Sequence, residues 1–302
     1  MLHFLSIADF SSDEILQTFD LASELKIKQK TGVPHRLLEG KTLAMIFQKP
    51  SARTRVSFEV GMFQLGGHAL YLGPNDIQVG KRESVADVAR VLSRYVDLMM
   101  ARLFGHHHIE ELAGNSSVPV INGLTDLLHP CQVMADMFSI FEKKGQTQKL
   151  AIAYIGDGNN MVNSWLNMAQ KLPMTLNLSI PEGYDPDSEI WNLAQNAGVS
   201  DIQMFRDPAD AARGADVIYT DVWASMGQEA EAEKRKQAFK DYQVNSSLVS
   251  AASPNCLVMH CLPAHRGEEI SDAVIDGPNS IVFDQAENRL HVQKAIMLKL
   301  MT

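Results

Sequence analysis

The chain has 302 residues, is 45% hydrophobic and 21% charged, and carries a formal net charge of −9. That length suits two domains of ordinary size, and the composition excludes a disordered or fibrous chain. The acidic balance argues against nucleic-acid binding, because a phosphate backbone demands basic stripes, so an anionic substrate has to be held by a local cluster of cations.

The N-terminus, Met1-Leu2-His3-Phe4, lacks the basic and long apolar regions of a signal peptide, and no apolar run approaches the roughly 20 residues that cross a bilayer. A cytoplasmic protein with no membrane association is expected. Ser11-Ser12-Asp13-Glu14, followed by Ile15, Leu16, Phe19, Leu21 and Leu25, reads as a capped amphipathic helix that ends near Gly32 and Pro34. Short apolar runs from Thr42 to Phe47, Ala69 to Leu72, Val96 to Met100 and Val118 to Ile121 then read as strands. They alternate with helical stretches from Arg53 to Leu65, Ser84 to Arg94 and Ile109 to Ala113. Helical spacing runs from His129 to Lys144 and is broken by Gly145-Gln146-Thr147-Gln148, where a domain boundary is expected. A second alternation follows, with strands at Lys149 to Ile155, Leu176 to Ile180, Ile202 to Phe205, Val217 to Thr220, Leu257 to His260 and Ile281 to Phe283. The stretch from Gln285 to Met301 is again helical. The rhythm predicts an α/β fold of two open parallel-sheet domains, residues 1–145 and 146–284, with the helix 285–302 packing back on the first and the active site in the crevice between them.

Ser51-Ala52-Arg53-Thr54-Arg55 follows the first strand and Pro50. Pro50 breaks the strand, Ser51 can cap the next helix, and the helix start presents N–H groups, hydroxyls and the Arg53 guanidinium as an anion cradle. An ordinary helix start with solvated arginines fits that segment too. His129-Pro130-Cys131-Gln132, Arg102, Asp221-Val222-Trp223-Ala224-Ser225-Met226-Gly227 and His260-Cys261-Leu262-Pro263-Ala264-His265-Arg266-Gly267 all fall at strand ends or helix starts. Taken singly, His129 and Cys261 have ordinary structural readings, Asp221 and Asn160 fit turn or cap positions, and Arg102 and Arg289 fit solvated or ion-paired roles. Cys131, Cys256 and Cys261 are odd in number and lack C-x-x-C spacing, so free thiols are expected and no metal. The triplet His106-His107-His108 gives no metal site either, because adjacent side chains diverge on a regular element. Met99-Met100 and Met297 to Met301 read as core, and Glu229 to Lys240 as a solvated helix face. Gly156-Asp157-Gly158 follows a strand, but the third glycine of a dinucleotide fingerprint falls at Met161, which excludes that module.

These segments, in this order, resemble the carbamoyltransferase family, and Ser225-Met226-Gly227 is similar to its ornithine branch. The likeness spans nearly the whole chain, including Gly156 to Met161 and Phe283 to Arg289. It implies a homotrimer, or a multiple of trimers, with sites at subunit boundaries and no cofactor. It also implies carbamoyl transfer from carbamoyl phosphate to the δ-amine of ornithine. Ser51, Ala52, Arg53 and Thr54 would hold the phosphate, with Gln78 in the same substrate site. Arg102 and His129, together with Thr54, would donate to the carbonyl oxygen. Gln132 and the backbone at Cys261 and Leu262 would accept from the carbamoyl NH2, and Arg289 would add positive charge. Asp221 would meet the α-ammonium of ornithine, and Asn160 with Ser225 and Met226 its α-carboxylate. Arg102, His129, Cys261 and Asp221 are the expected catalytic group. Ala52 stands where the family commonly has Thr, which removes one hydroxyl and leaves the backbone N–H. Either Lys81 or Arg82 fits the basic residue that the family sends to a neighbouring site. Aspartate, putrescine and an acylated ornithine are the competing acceptors, and a non-catalytic regulatory relative is the competing class. The stretch from Trp223 to Glu229 carries no Lys or Arg for a second carboxylate, which favours ornithine over aspartate.

Overall fold

The computed structural model describes residues 2–302 apart from Val79, Lys81, Gln146, Gln148 and residues 225–228. The chain forms two compact units, Met1–Phe138 with Glu287–Thr302, and Ser139–Ala286. The divisions fall inside two helices, Pro130–Lys144 and Val282–Met301, where continuous helical periodicity leaves no linker signal in the sequence.

In the first unit, β1 (Thr42–Phe47), β2 (His68–Leu72), β3 (Leu98–Arg102) and β4 (Val120–Leu124) form a parallel sheet in the order β2-β1-β3-β4. β1 is buried along Leu43 to Phe47, as expected of a strand covered on both faces. Ala44, Ile46, Met99 and Ala101 pack one face against Val88 and Ala89 of the helix Val85–Leu92 and Ile109 and Leu112 of the helix His106–Gly114. The first helix runs Ser12–Lys30. Its capping box is complete, with Glu14 N–H donating to Ser11 Oγ at 3.2 Å and Ser11 N–H to Glu14 Oε2 at 2.8 Å.

In the second unit, β5 (Ala151–Ile155), β6 (Thr175–Ser179), β7 (Asp201–Phe205), β8 (Val217–Thr220) and β9 (Leu257–His260) form a parallel sheet in the order β7-β6-β5-β8-β9. In each sheet the chain starts at an inner strand, builds outward on one side, and then crosses to the other. The reversal lies between β1 and β3 in one sheet and between β5 and β8 in the other. Loops leaving the carboxyl ends of such strand pairs diverge and leave room for a ligand.

Three expectations are corrected. Ile281 to Phe283 is not a strand: Ser280 makes one bridge to Val258, and Val282 already opens the C-terminal helix. A three-residue apolar run cannot separate the two periods, and Phe283 is exposed. β3 reaches Arg102, two residues beyond the apolar run, so this arginine belongs to the strand and not to the loop after it. Glu229 to Lys240 contains the helix Ala232–Phe239, whose Arg235 and Phe239 are buried, so it is not a wholly solvated face. Met99, Met100 and Met297 lie in the core. Among the described residues no helix is long and apolar enough to cross a membrane.

Candidate active site

The segment after β1 folds as its chemistry dictates. Ser51 is the N-cap of the helix Ala52–Gln64, in an extended conformation, and its Oγ accepts from Thr54 N–H. Ser51 Oγ also donates to Thr54 Oγ1 at 3.1 Å, which ties both hydroxyls together at the positive end of the helix. The two arginines diverge in role. Arg55 stacks over Tyr71 at 4.0 Å and pairs with Glu59 at 3.2 Å on the outer face, whereas the charge of Arg53 is felt by His129. Ala52 is exposed and lines an outer groove of about 860 Å3 with Val56, Val60 and Phe63.

Behind this cap lies a buried polar cluster. Arg289, from the C-terminal helix, donates to Thr54 Oγ1 at 3.1 Å and to Gln132 Oε1, while Gln132 Nε2 donates to Asp136 at 2.8 Å. Arg102 lies opposite Phe47 at the end of β3, where the β3–β4 register shifts. Such an irregularity re-aims a strand-end side chain. Arg102, His129, Gln132 and Arg289 are each at most 7% exposed. Burial first, then the charges of Arg289, Arg102 and Arg53, hold His129 well below the ordinary histidine range. His129 is therefore a neutral imidazole beside three guanidinium groups, able to donate one hydrogen bond without carrying charge. Cys131, two residues on, donates to the Asn122 carbonyl, and burial pushes its thiol up to about 12, so it is no nucleophile. Gln78 is exposed, in a left-handed conformation after the short helix Pro74–Ile77 that follows β2. Lys81 lies outside the described residues, and Arg82 is exposed.

In the second unit, the loops leaving β5, β8 and β9 meet at Asp221. Its Oδ2 accepts from Asn159 Nδ2 at 3.0 Å, and its Oδ1 accepts from Cys261 Sγ at 2.9 Å and from Val222 N–H at 2.8 Å. Cys261 is thus a protonated donor here. Asn159 caps the helix Asn160–Ala169 through Met161 N–H, leaving Asn160 half-buried in the first turn. Ser225 and Met226 lie outside the described residues. Leu262 has φ 58° and precedes a cis peptide to Pro263, and its N–H donates to His260 Nδ1 at 2.8 Å. That bond leaves the ring proton on Nε2, which faces Glu269 at 3.1 Å, and both residues are fully buried.

Asn159, Asp157, Arg235, His260 and Glu269 had no assigned site role in the sequence reading. The first two lie inside the Gly156 to Met161 motif, where a cap asparagine marks a helix start without saying which of two neighbours turns inward. Glu269 and Arg235 are separated from their partners by loops, so only the fold joins them. The donor atoms of Asp221, His260 and Cys261 come within 4.8 Å of one another, a grouping that Cys spacing did not signal. Both ring nitrogens of His260 are committed to Leu262 and Glu269, so this set is wired as a hydrogen-bond network. His107 and His108 do not diverge: their rings lie 4.0 Å apart in the first turn of the helix His106–Gly114. Gly158 admits no side chain, since a Cβ there would come within 2.3 Å of the Tyr184 carbonyl. Backbone thus occupies the space that the second glycine of a dinucleotide loop keeps open for pyrophosphate.

Residues 2–142 match the family model for the carbamoyl-P binding domain of aspartate/ornithine carbamoyltransferase, and residues 148–300 match that for its Asp/Orn binding domain. An ornithine carbamoyltransferase from Geobacter sulfurreducens is 56% identical, covering 99% of both chains. An anabolic ornithine carbamoyltransferase from Pyrococcus furiosus is 56% identical over 98% of this chain and 95% of its own length. A solved structure of ornithine carbamoyltransferase from Pyrococcus furiosus superimposes with a TM-score of 0.95 at 54% identity, covering 99% of this chain and 96% of that one. Matched by both domain models in order, the chain belongs to the aspartate/ornithine carbamoyltransferase family.

Proposed function

We propose that the protein transfers the carbamoyl group of carbamoyl phosphate to the δ-amine of L-ornithine, giving L-citrulline and phosphate. The observation that carries this reading is the gathering of Arg53, Arg102 and Arg289 around neutral His129 behind the Ser51–Thr54 cap. Two buried cations, one exposed cation and a helix N-terminus suit a doubly charged phosphate and the oxyanion that develops on the adjoining carbonyl. Ser51, Arg53, Thr54 and the Ala52 N–H hold the phosphate. Arg102, His129 and Thr54 donate to the carbonyl oxygen, and the second lone pair of Gln132 Oε1 accepts from the carbamoyl NH2, as do backbone carbonyls at Cys261 and Leu262. Gln78 completes the carbamoyl phosphate contacts.

On the amino-acid side, Asp221 retains acceptor capacity beyond its three bonds and takes the α-ammonium. Asn160, with Ser225 and Met226, takes the α-carboxylate. The δ-nitrogen attacks the carbonyl carbon, its electron pair forming the C–N bond. The tetrahedral species collapses with cleavage of the C–O bond to phosphorus, and phosphate leaves with that pair. The nitrogen's extra proton passes to a phosphate oxygen. The amine has to be neutral to attack, and the thiol and carboxylate of Cys261 and Asp221 form the polar surroundings that can accept from it. The relative named anabolic supports the citrulline-forming direction, in arginine biosynthesis. A cytoplasmic homotrimer is part of the same proposal, with the apolar stripe Val56, Val60 and Phe63, beside Ser51 and Ala52, as a surface for a second subunit.

The test is incubation of the purified chain with carbamoyl phosphate and, separately, ornithine, aspartate or putrescine. Citrulline as the preferred product is expected. Preference for another amine overturns the acceptor assignment, and no product from any amine favours a regulatory relative.

A further inference from the structure

We infer that Arg235 is a positioning residue for the amino-acid substrate, a cross-brace that sets the spacing of Asn159 and Asp221. Those two residues come from different strand ends, after β5 and after β8, and are joined by one bond of 3.0 Å. Arg235 Nη1 has two hydrogens. One goes to Asp157 Oδ2 at 2.9 Å and the other to the Trp223 carbonyl at 2.9 Å. Asp157 is two residues before Asn159, and Trp223 two residues after Asp221, so one nitrogen bridges the two loops that carry Asn159 with its helix start and Asp221. Both charged side chains of the brace are at most 8% exposed, and the guanidinium is packed over the Tyr184 ring at 5.0 Å, with Nε toward Glu231 at 3.4 Å. A buried ion pair of this kind contributes little net stability, yet it fixes geometry tightly. This inference rests on the reading that Asp221 and the start of the helix Asn160–Ala169 meet the amino acid.

The brace is sensitive to acid. Burial pushes the Asp157 carboxyl up to about 6, with Arg235 opposing and the charges of Asp221 and Glu231 assisting. Protonation below that value removes the ionic half of the bond to Arg235.

Norvaline, which keeps the α-ammonium and α-carboxylate of ornithine but lacks the δ-amine, is the probe, titrated calorimetrically into the protein saturated with carbamoyl phosphate. Its own groups do not titrate between pH 5 and 8. Arg235→Gln is expected to weaken norvaline binding about tenfold or more, while carbamoyl phosphate binding, measured alone, stays within about twofold. In the wild type, norvaline binding weakens as pH falls through 6. In Asp157→Asn, which keeps the carboxylate's shape, binding is weaker at neutral pH and that pH dependence is lost. Unaltered norvaline binding in Arg235→Gln, or equal weakening of both ligands, overturns the inference. A wild-type protein that binds no norvaline overturns the substrate reading and this inference with it.

Discussion

Thr54 shows how single residues do two jobs in this site. Its N–H and hydroxyl meet Ser51, and the same hydroxyl receives Arg289 from a helix more than two hundred residues away. Replacing it with Val removes only the hydroxyl, takes one acceptor from the buried Arg289 guanidinium, and is expected to lower kcat/KM for carbamoyl phosphate about 30-fold, equivalent to about 2 kcal/mol. Steady-state kinetics that leave kcat/KM within a factor of two would take Thr54 out of the site. Arg53 is exposed, so Arg53→Ala should keep its urea midpoint while turnover falls about 1,000-fold. Near-normal turnover would remove it from the phosphate cradle. The residue types were legible in the sequence because Ser-x-Arg-Thr-Arg after a strand carries its own mechanism. Arg53 was named for the cradle and Arg55 was not, but the outward stacking of Arg55 on Tyr71 was not legible, since it follows from the helix phase.

Helix identity followed from period where a cap was present, and strand identity from short, continuous apolar runs. The capped helix at Ser11, the strand Thr42–Phe47 and the strands Val217–Thr220 and Leu257–His260 were readable in this way. Boundaries slipped where polar residues are paired inside a strand: Arg102 and Asn122 are buried in β3 and β4, and sequence pattern reads such residues as loop. The Gly156 to Asn160 turn makes a prediction at this scale. Gly158→Ala brings a methyl against the Tyr184 carbonyl and the Asp185–Pro186 backbone, none of which can move as a side chain does. The expected loss is about 2–3 kcal/mol of stability, visible as a lower thermal midpoint with unchanged carbamoyl phosphate affinity. An unchanged midpoint would mean that the 184–186 segment yields freely.

For the molecule as a whole, buried histidines set the acid limit of stability. His129 is held well below 6.5 and His291 at about 4, in both cases by burial first. The unfolded chain binds these protons near 6.5 and the folded chain does not, so stability is lost as pH falls below about 6.5, through the window down to about 4 for His291. Asp157 acts in the opposite sense: its folded value of about 6 exceeds the ordinary 3.8, so the folded state gains stability as pH falls between those values. His3 and His106 are also held below 6.5 by burial first, so four histidines against one carboxyl predict a net fall in the urea midpoint from pH 7 to pH 5, and a rise over that range would contradict the burial of the histidines. The two-unit α/β architecture was legible from the alternation of periods. The pairing of Arg289 with Thr54 was not, because it depends on where the C-terminal helix packs, and that of Asp221 with Cys261 was not, because it depends on β8 and β9 lying side by side.

Carbamoyl phosphate labelled with 13C at the carbonyl, mixed with ornithine labelled with 15N at the δ-amine, gives the most direct view of the bond this protein makes. The expected product shows a one-bond 13C–15N coupling in citrulline that grows with time and disappears in Arg53→Ala. Release of the 13C without coupling to nitrogen, while carbamoyl phosphate is consumed by the wild-type protein, would contradict the assignment.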